Sequence, residues 1–180
     1  MNSSRPSEQT NDDQEPPERR HRISIANETE VAVDAERIER AVCWALDDTP
    51  YDEATVSIAI VDDETIHQLN RQFLAHDYPT DVLSFTLEDD PQQLEGEIIV
   101  SVDTARQNGA EAGWSADAEL LLYVIHGTLH LAGYLDKDPE DYAEMRAAEA
   151  AVLDRLGVER SPTDVRWLAG NDDLAEEPTS

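Results

Sequence analysis

Two histidines and one aspartate share a short segment of the chain with a spacing that suits a metal ion. His126 and His130 are four residues apart in the apolar run LLLYVIHGTLHLAGYLDKD, residues 120–138. In a helix, side chains four residues apart lie on the same face, so both imidazoles can reach one ion. Gly133 can end that helix with a left-handed residue, and the chain can then turn back toward the histidines. The spacing therefore predicts a metal site whose ligands are His126, His130 and Asp136.

The number of ligands indicates what such a metal would do. A catalytic metal is typically held by three protein ligands and keeps one position open for water, whereas a structural zinc is closed by four. A catalytic metal lowers the pKa of its bound water and polarises a phosphoryl or carbonyl oxygen. The pattern predicts a metal-dependent hydrolase. A structural metal stays open as an alternative, because a distant fourth ligand has no signature in the sequence.

The residue after the first histidine bears on the substrate. Zinc proteases with this histidine spacing carry a glutamate at that position as the general base. Here the position is Gly127, which cannot accept a proton. The alternative of a metalloprotease is therefore disfavoured.

In the segments around this one, the apolar residues have the spacing of strands and of helices in turn. The order is β, α, β, α, β, β and then three helices, which predicts an α+β (mixed α/β) domain with one small mixed sheet covered by helices. The metal site would lie on the long helix and the turn that follows it. The strands are expected around 23–25 and over 55–61, 82–87 and 96–102, and the helices over 33–46, after Asp62, from Asp103, from Ser115 and over 139–156.

Composition divides the chain into one domain and two tails. The polar segments 1–22 and 161–180 are predicted to be disordered, the second one mostly so, and 23–160 is predicted to be the folded domain. No run approaches the length of a membrane span and the N-terminus has no apolar signal region. Cys43 is the only cysteine, so a cytoplasmic protein without membrane contact is expected.

The acidity belongs to the predicted domain and not to its tails. The formal net charge is −28, and the two tails carry −1 and −4, which leaves −23 for residues 23–160. Such a charge repels polyanions at low ionic strength, and salt screens that repulsion. We therefore hypothesise that the protein works in a salt-rich cytoplasm; solubility or contacts with basic proteins are the alternative explanation.

Three blocks of sequence resemble one known family. The segment HGTLHLAGY, residues 126–134, resembles the signature of the YbeY family, and LN at 69–70 with DYPTDVLSF at 77–85 and GEIIVS at 96–101 agrees with it in order and spacing. The resemblance implies a single-strand-specific, metal-dependent endoribonuclease that processes ribosomal RNA, chiefly the 3′ end of the small-subunit RNA, and acts in ribosome quality control. It implies a zinc-like ion, and single-stranded ribosomal RNA and the small subunit or its proteins as partners. The alternative of another class is a non-enzymatic ribosome-assembly factor whose metal is structural.

The chain departs from that family pattern at two positions. The family usually has a third histidine ten residues after the first, where this chain has Asp136, a residue that is also able to bind a metal. The family also usually has an arginine five residues before the Pro-Thr pair, where this chain has Leu74. Arg71 is a candidate catalytic residue in its place, since it lies one turn earlier on the same predicted helix; a solvated surface arginine is the competing interpretation. His76 is a weaker candidate.

Overall fold

The computed structural model describes residues 20–90, 92–160 and 164–167. It confirms the predicted α+β architecture, with one four-stranded mixed sheet and five α-helices in the described part of the chain. The strands are β1 (His21–Asn27), β2 (Glu53–Val61), β3 (Val82–Asp89) and β4 (Gln93–Ser101). The helices are α1 (Ala35–Leu46), α2 (Asp63–Leu74), α3 (Val102–Ala112), α4 (Ala116–Leu131) and α5 (Pro139–Arg155), followed by a short 3₁₀ helix, Val165–Trp167.

The sheet has the strand order β1-β2-β4-β3. β1 and β4 both pair with β2 in parallel, and β3 pairs with β4 in antiparallel fashion, with Val82 opposite Val100. β3 is therefore an edge strand. This arrangement follows from the connections, because α1 makes a crossover between parallel strands, whereas the short segment between β3 and β4 allows a hairpin.

The two faces of the sheet are covered by different helices. Alternate residues of β2 and β4, such as Ile58 and Ile98, belong to the large core that α1, α4 and α5 complete. The intervening residues, such as Val61, belong to a second cluster formed with Ile66 of α2 and Leu83 of β3. Because successive residues of a strand point to opposite faces, α2 and α4 lie on opposite sides of the sheet.

Side-chain caps fix where the helices begin. Asp62 accepts a hydrogen bond from the backbone N–H of Thr65 (2.8 Å), and Ser115 accepts one from Ala118 (3.1 Å), as the sequence predicts. α3 begins slightly earlier than expected, because Ser101 and not Asp103 is its N-cap. Such oxygen atoms satisfy N–H groups that have no partner within the helix.

The predicted tails fall mostly outside the described residues, which exclude 1–19, 161–163 and 168–180. The exceptions are residues 20–22, of which His21 and Arg22 belong to β1, and Asp164–Trp167, which lies against α4 through an ion pair described below. No helix in the described part of the chain has the length and apolar character that a membrane span requires.

Candidate metal centre

The three predicted ligands meet at one point of the structure. The Nε2 atoms of His126 and His130 are 2.9 Å apart. The Oδ2 atom of Asp136 lies 3.6 Å from the Nε2 atom of His126 and 3.4 Å from that of His130. In the described part of the chain, this is the one group of three or more His, Cys, Asp or Glu residues arranged to hold an ion.

These separations fit a small divalent ion. Zinc ligands bind at about 2.0–2.2 Å with tetrahedral geometry, which separates neighbouring ligand atoms by about 3.3–3.5 Å. The two nitrogen-to-oxygen distances agree with that value, and the histidines need to move apart by only a few tenths of an ångström. The donor set of two imidazoles and one carboxylate is one that catalytic zinc sites use.

The turn after α4 delivers the third ligand. α4 ends at Leu131, and Gly133 has a φ of +96°, a conformation that glycine adopts without a side-chain clash. The N–H of Tyr134 donates to the carbonyl of Leu129 (3.0 Å), which reverses the chain. Asp136 then faces the two histidines, as the sequence predicts.

The second nitrogen of each histidine already has a partner. The Nδ1 atom of His130 lies 3.0 Å from the backbone carbonyl oxygen of Tyr134, and the Nδ1 atom of His126 lies 2.7 Å from Oε1 of Glu149. Both partners are hydrogen-bond acceptors, so an imidazole with its proton on Nδ1 would donate to them and would present the lone pair of its Nε2 to an ion. Residues outside the set of three ligands therefore also orient the two imidazoles for metal binding.

Glu149 is a part of this site that sequence reasoning missed. It lies on α5, and its side chain is completely buried. Its second oxygen is 2.8 Å from Nη1 of Arg146, an ion pair that lacks hydrogen-bond alignment. Arg146 is in turn placed against the rings of Tyr142 and Trp167. The sequence did contain one sign of this role. Glu149 lies on the buried face of α5 with Met145 and Val152, where a charged residue needs a partner.

The site is open on one side. The side chains of His126, His130 and Asp136 retain 16%, 27% and 35% of their exposure. A solvent-accessible ion with three protein ligands has room for water or substrate.

Gly127 faces away from the ligands and toward the sheet. A Cβ atom at this position would lie 3.0 Å from Cγ2 of Ile98 and 3.1 Å from Cγ2 of Val82. A larger residue therefore requires the side chains of Ile98 and Val82 to move by a few tenths of an ångström. The close approach of α4 to the sheet favours glycine at this position.

A second buried carboxylate anchors the chain beyond α5. Glu119 of α4 is fully buried, and both of its oxygens accept hydrogen bonds from Arg166, at 2.7 and 2.9 Å. Arg166 also pairs with Asp164 (2.6 Å). Burial alone would lower the pKa of Arg166, but these two carboxylates raise it, so the guanidinium stays charged. Burial alone would likewise raise the pKa of Asp164, but the hydrogen bonds from Arg166 lower it.

Comparison with known proteins identifies the family. The family model described as Endoribonuclease YbeY matches residues 23–157, which is well over half of the chain. The chain belongs to the YbeY endoribonuclease family.

Relatives named Endoribonuclease YbeY cover this region to different extents. The one from Roseiflexus castenholzii is 40% identical over 149 residues, which are 77% of this chain and 93% of that protein. The one from Rhodopirellula baltica is 50% identical over 110 residues, 60% of this chain. That match spans only 57% of the relative's own length. A solution structure of a Thermotoga maritima protein is similar with a TM-score of 0.50 and 25% identity, and the match covers 86% of this chain and 99% of that one.

Arg71 is not brought to the metal centre by any contact in the described part of the chain. It is exposed in the last turn of α2, and α2 lies on the sheet face opposite to α4. Among residues 20–90, 92–160 and 164–167, no ion pair or hydrogen bond of its side chain is found. Its role as a catalytic replacement for the family arginine that is missing at Leu74 stays a prediction. His76 is also exposed and stacks on Tyr78.

Proposed function

We propose that this protein is a cytoplasmic, metal-dependent endoribonuclease that hydrolyses single-stranded RNA. Its substrate would be ribosomal RNA, chiefly the 3′ end of the small-subunit RNA, and it would take part in ribosome quality control with the small subunit or its proteins as partners. The observation that carries the proposal is the convergence of His126, His130 and Asp136 on one open point, with both Nδ1 atoms already committed.

The residues of the site have distinct tasks in this proposal. His126 and His130 would hold the ion through Nε2, and Asp136 would complete the set of three ligands. Zinc is the ion we propose, because imidazole and carboxylate donors in this number suit it. A bound divalent metal supplies an activated water and neutralises charge on phosphoryl oxygens. Glu149 and the carbonyl of Tyr134 hold the two imidazoles in the binding tautomer.

Two other functions fit less of the structure. A metalloprotease of the usual type needs a glutamate at position 127, where this chain has a glycine that packs closely against the sheet. A structural metal needs four closed ligands, whereas the described residues supply three with partial exposure.

The proposal is tested with metal-stripped protein that is reloaded with zinc. We expect the reloaded protein to cut a single-stranded RNA and to leave a duplex of the same sequence and an unstructured peptide intact. The variant His126→Ala, stripped and reloaded in the same way, should not cut the RNA, and its control is Glu144→Gln, which alters an exposed residue of α5. Cleavage of the peptide would support a protease instead, and one zinc per chain without any cleavage would support a structural metal.

A further inference from the structure

The segment Asp164–Trp167 is anchored to α4 and to the loop before it. Arg166 fastens the segment to α4 through two hydrogen bonds to the buried Glu119, at 2.7 and 2.9 Å. Its guanidinium also lies over the ring of Trp114, 5.4 Å from the centroid. Trp167 packs edge-on against the same ring, with centroids 6.1 Å apart and an angle of 70° between the planes. Two adjacent residues therefore fix the segment on the domain.

The ring of Trp167 lies against an arginine of the metal centre. The Cζ atom of Arg146 is 5.7 Å from the centroid of the Trp167 ring and 5.0 Å from that of Tyr142, within the range of a cation–π contact. Nε and Nη1 of Arg146 are buried and have no aligned hydrogen-bond acceptor among the described residues. The position of this guanidinium therefore depends on the two ring faces and on the carboxylate of Glu149. Of the two rings, Trp167 is the one that comes from outside α5.

Arg146 in turn supports the carboxylate that orients His126. One oxygen of Glu149 is 2.7 Å from Nδ1 of His126, and the other is 2.8 Å from Nη1 of Arg146. The side chain of Glu149 has no exposure to solvent, and a buried carboxylate without a nearby cation is unfavourable. Arg146 therefore favours the buried position of Glu149, from which the carboxylate can orient the imidazole for metal binding.

Each step from the C-terminal segment to the metal ligand is thus a direct contact. We propose that Trp167 and Arg146 are positioning residues of the metal centre: Trp167 holds Arg146 beside Glu149, and this support raises the affinity of the site for metal. Trp167 lies beyond residues 23–157, which the family model matches, so the family match does not account for this support. The inference rests on the proposed function for the identity of the ion.

The test is a double-mutant cycle on zinc affinity, measured by competition with a chromophoric chelator. We expect Trp167→Ala to raise the zinc Kd about 2- to 10-fold, the lower part of the range for residues in one network. In a Glu149→Ala background the same substitution should leave the Kd unchanged, because the residue through which Trp167 acts is gone. Glu149→Gln, which keeps the shape of the side chain but removes the charge that Arg146 pairs with, is a second background. Trp167→Phe keeps a ring face for Arg146 and should retain most of the zinc affinity.

A second pair of tryptophan and arginine provides the matched control. Arg155 also belongs to α5, and its Cζ atom lies 4.5 Å from the centroid of the Trp44 ring. It pairs with Asp47 (2.9 Å) and not with a residue of the metal centre. Trp44→Ala removes the same kind of contact from the same helix and should leave the zinc Kd unchanged. Melting of the metal-free variants shows how far each substitution destabilises the fold.

The outcomes separate this inference from the proposed function, because zinc affinity is measured without RNA. A loss of affinity in Trp167→Ala that disappears in the Glu149→Ala background supports the inference, even if the protein cuts no RNA. An unchanged Kd in Trp167→Ala, or an equal loss in both backgrounds, overturns it, even if RNA is cut. An equal loss in Trp44→Ala would show a general effect of destabilisation and would also overturn it.

Discussion

The buried carboxylate of Glu149 provides a sharp test of how the metal centre is organised. Glu149→Gln keeps the shape of the side chain and an oxygen that can accept the proton of His126 Nδ1, but it removes the negative charge. Glu149→Ala removes the acceptor as well. The second metal-binding imidazole, that of His130, keeps its partner in both variants, because that partner is a backbone carbonyl which neither substitution alters.

The structure indicates the size of the effect. The contact between Glu149 and His126 is 2.7 Å long, and the carboxylate has no exposure to solvent, so water cannot readily replace it. Loss of such an outer partner typically costs about 10- to 100-fold in metal affinity. We expect about tenfold for Glu149→Gln and about 100-fold for Glu149→Ala, which correspond to about 1.4 and 2.7 kcal/mol.

The assay is competition for zinc with a chromophoric chelator at fixed pH. Glu144→Gln is the matched control, since it removes the same charge from an exposed position of the same helix. Melting of the metal-free variants separates metal affinity from folding, because Glu149 also pairs with Arg146. A zinc affinity in Glu149→Ala equal to that of the wild type would refute the role assigned to this residue.

Three further predictions concern stability and the third ligand. Arg166→Ala should lower the free energy of unfolding by about 3–5 kcal/mol, because it leaves the buried Glu119 without its cation; a loss no larger than that of the exposed control Arg106→Ala would contradict this. Asp136→His should retain zinc in equilibrium dialysis while Asp136→Ala should lose most of it, and unchanged binding in Asp136→Ala would show that the third ligand is another residue. The melting temperature should rise between about 0.1 and 2 M KCl as salt screens the charge of −28, and a fall over this range would argue against adaptation to salt.

The strands, the helices and the three metal ligands could be predicted from residues that lie close together in the sequence. Apolar periodicity predicts each strand and helix, and Asp62 and Ser115 act as the caps that their positions suggest. His126, His130 and Asp136 lie within eleven residues of one another, so helix geometry and one glycine turn decide their arrangement. Nothing from a distant part of the chain is needed to bring them together.

Contacts between distant segments could not be predicted in this way. Glu149 is 23 residues from His126, and only the packing of α5 on α4 brings the two together. Glu119 lies in the first turn of α4 but is buried, and it pairs with Arg166, 47 residues away in a predicted tail. The placement of Arg71 likewise depends on which sheet face α2 covers, and that is a property of the whole fold.

The central claim is that His126, His130 and Asp136 hold one metal ion. The most direct measurement is the number of zinc ions bound per chain after dialysis, in the wild type and in the His126→Ala/His130→Ala double variant. The account predicts one ion in the wild type and none in the folded double variant, whose fold is checked by circular dichroism. One tightly bound ion in the folded double variant would contradict it.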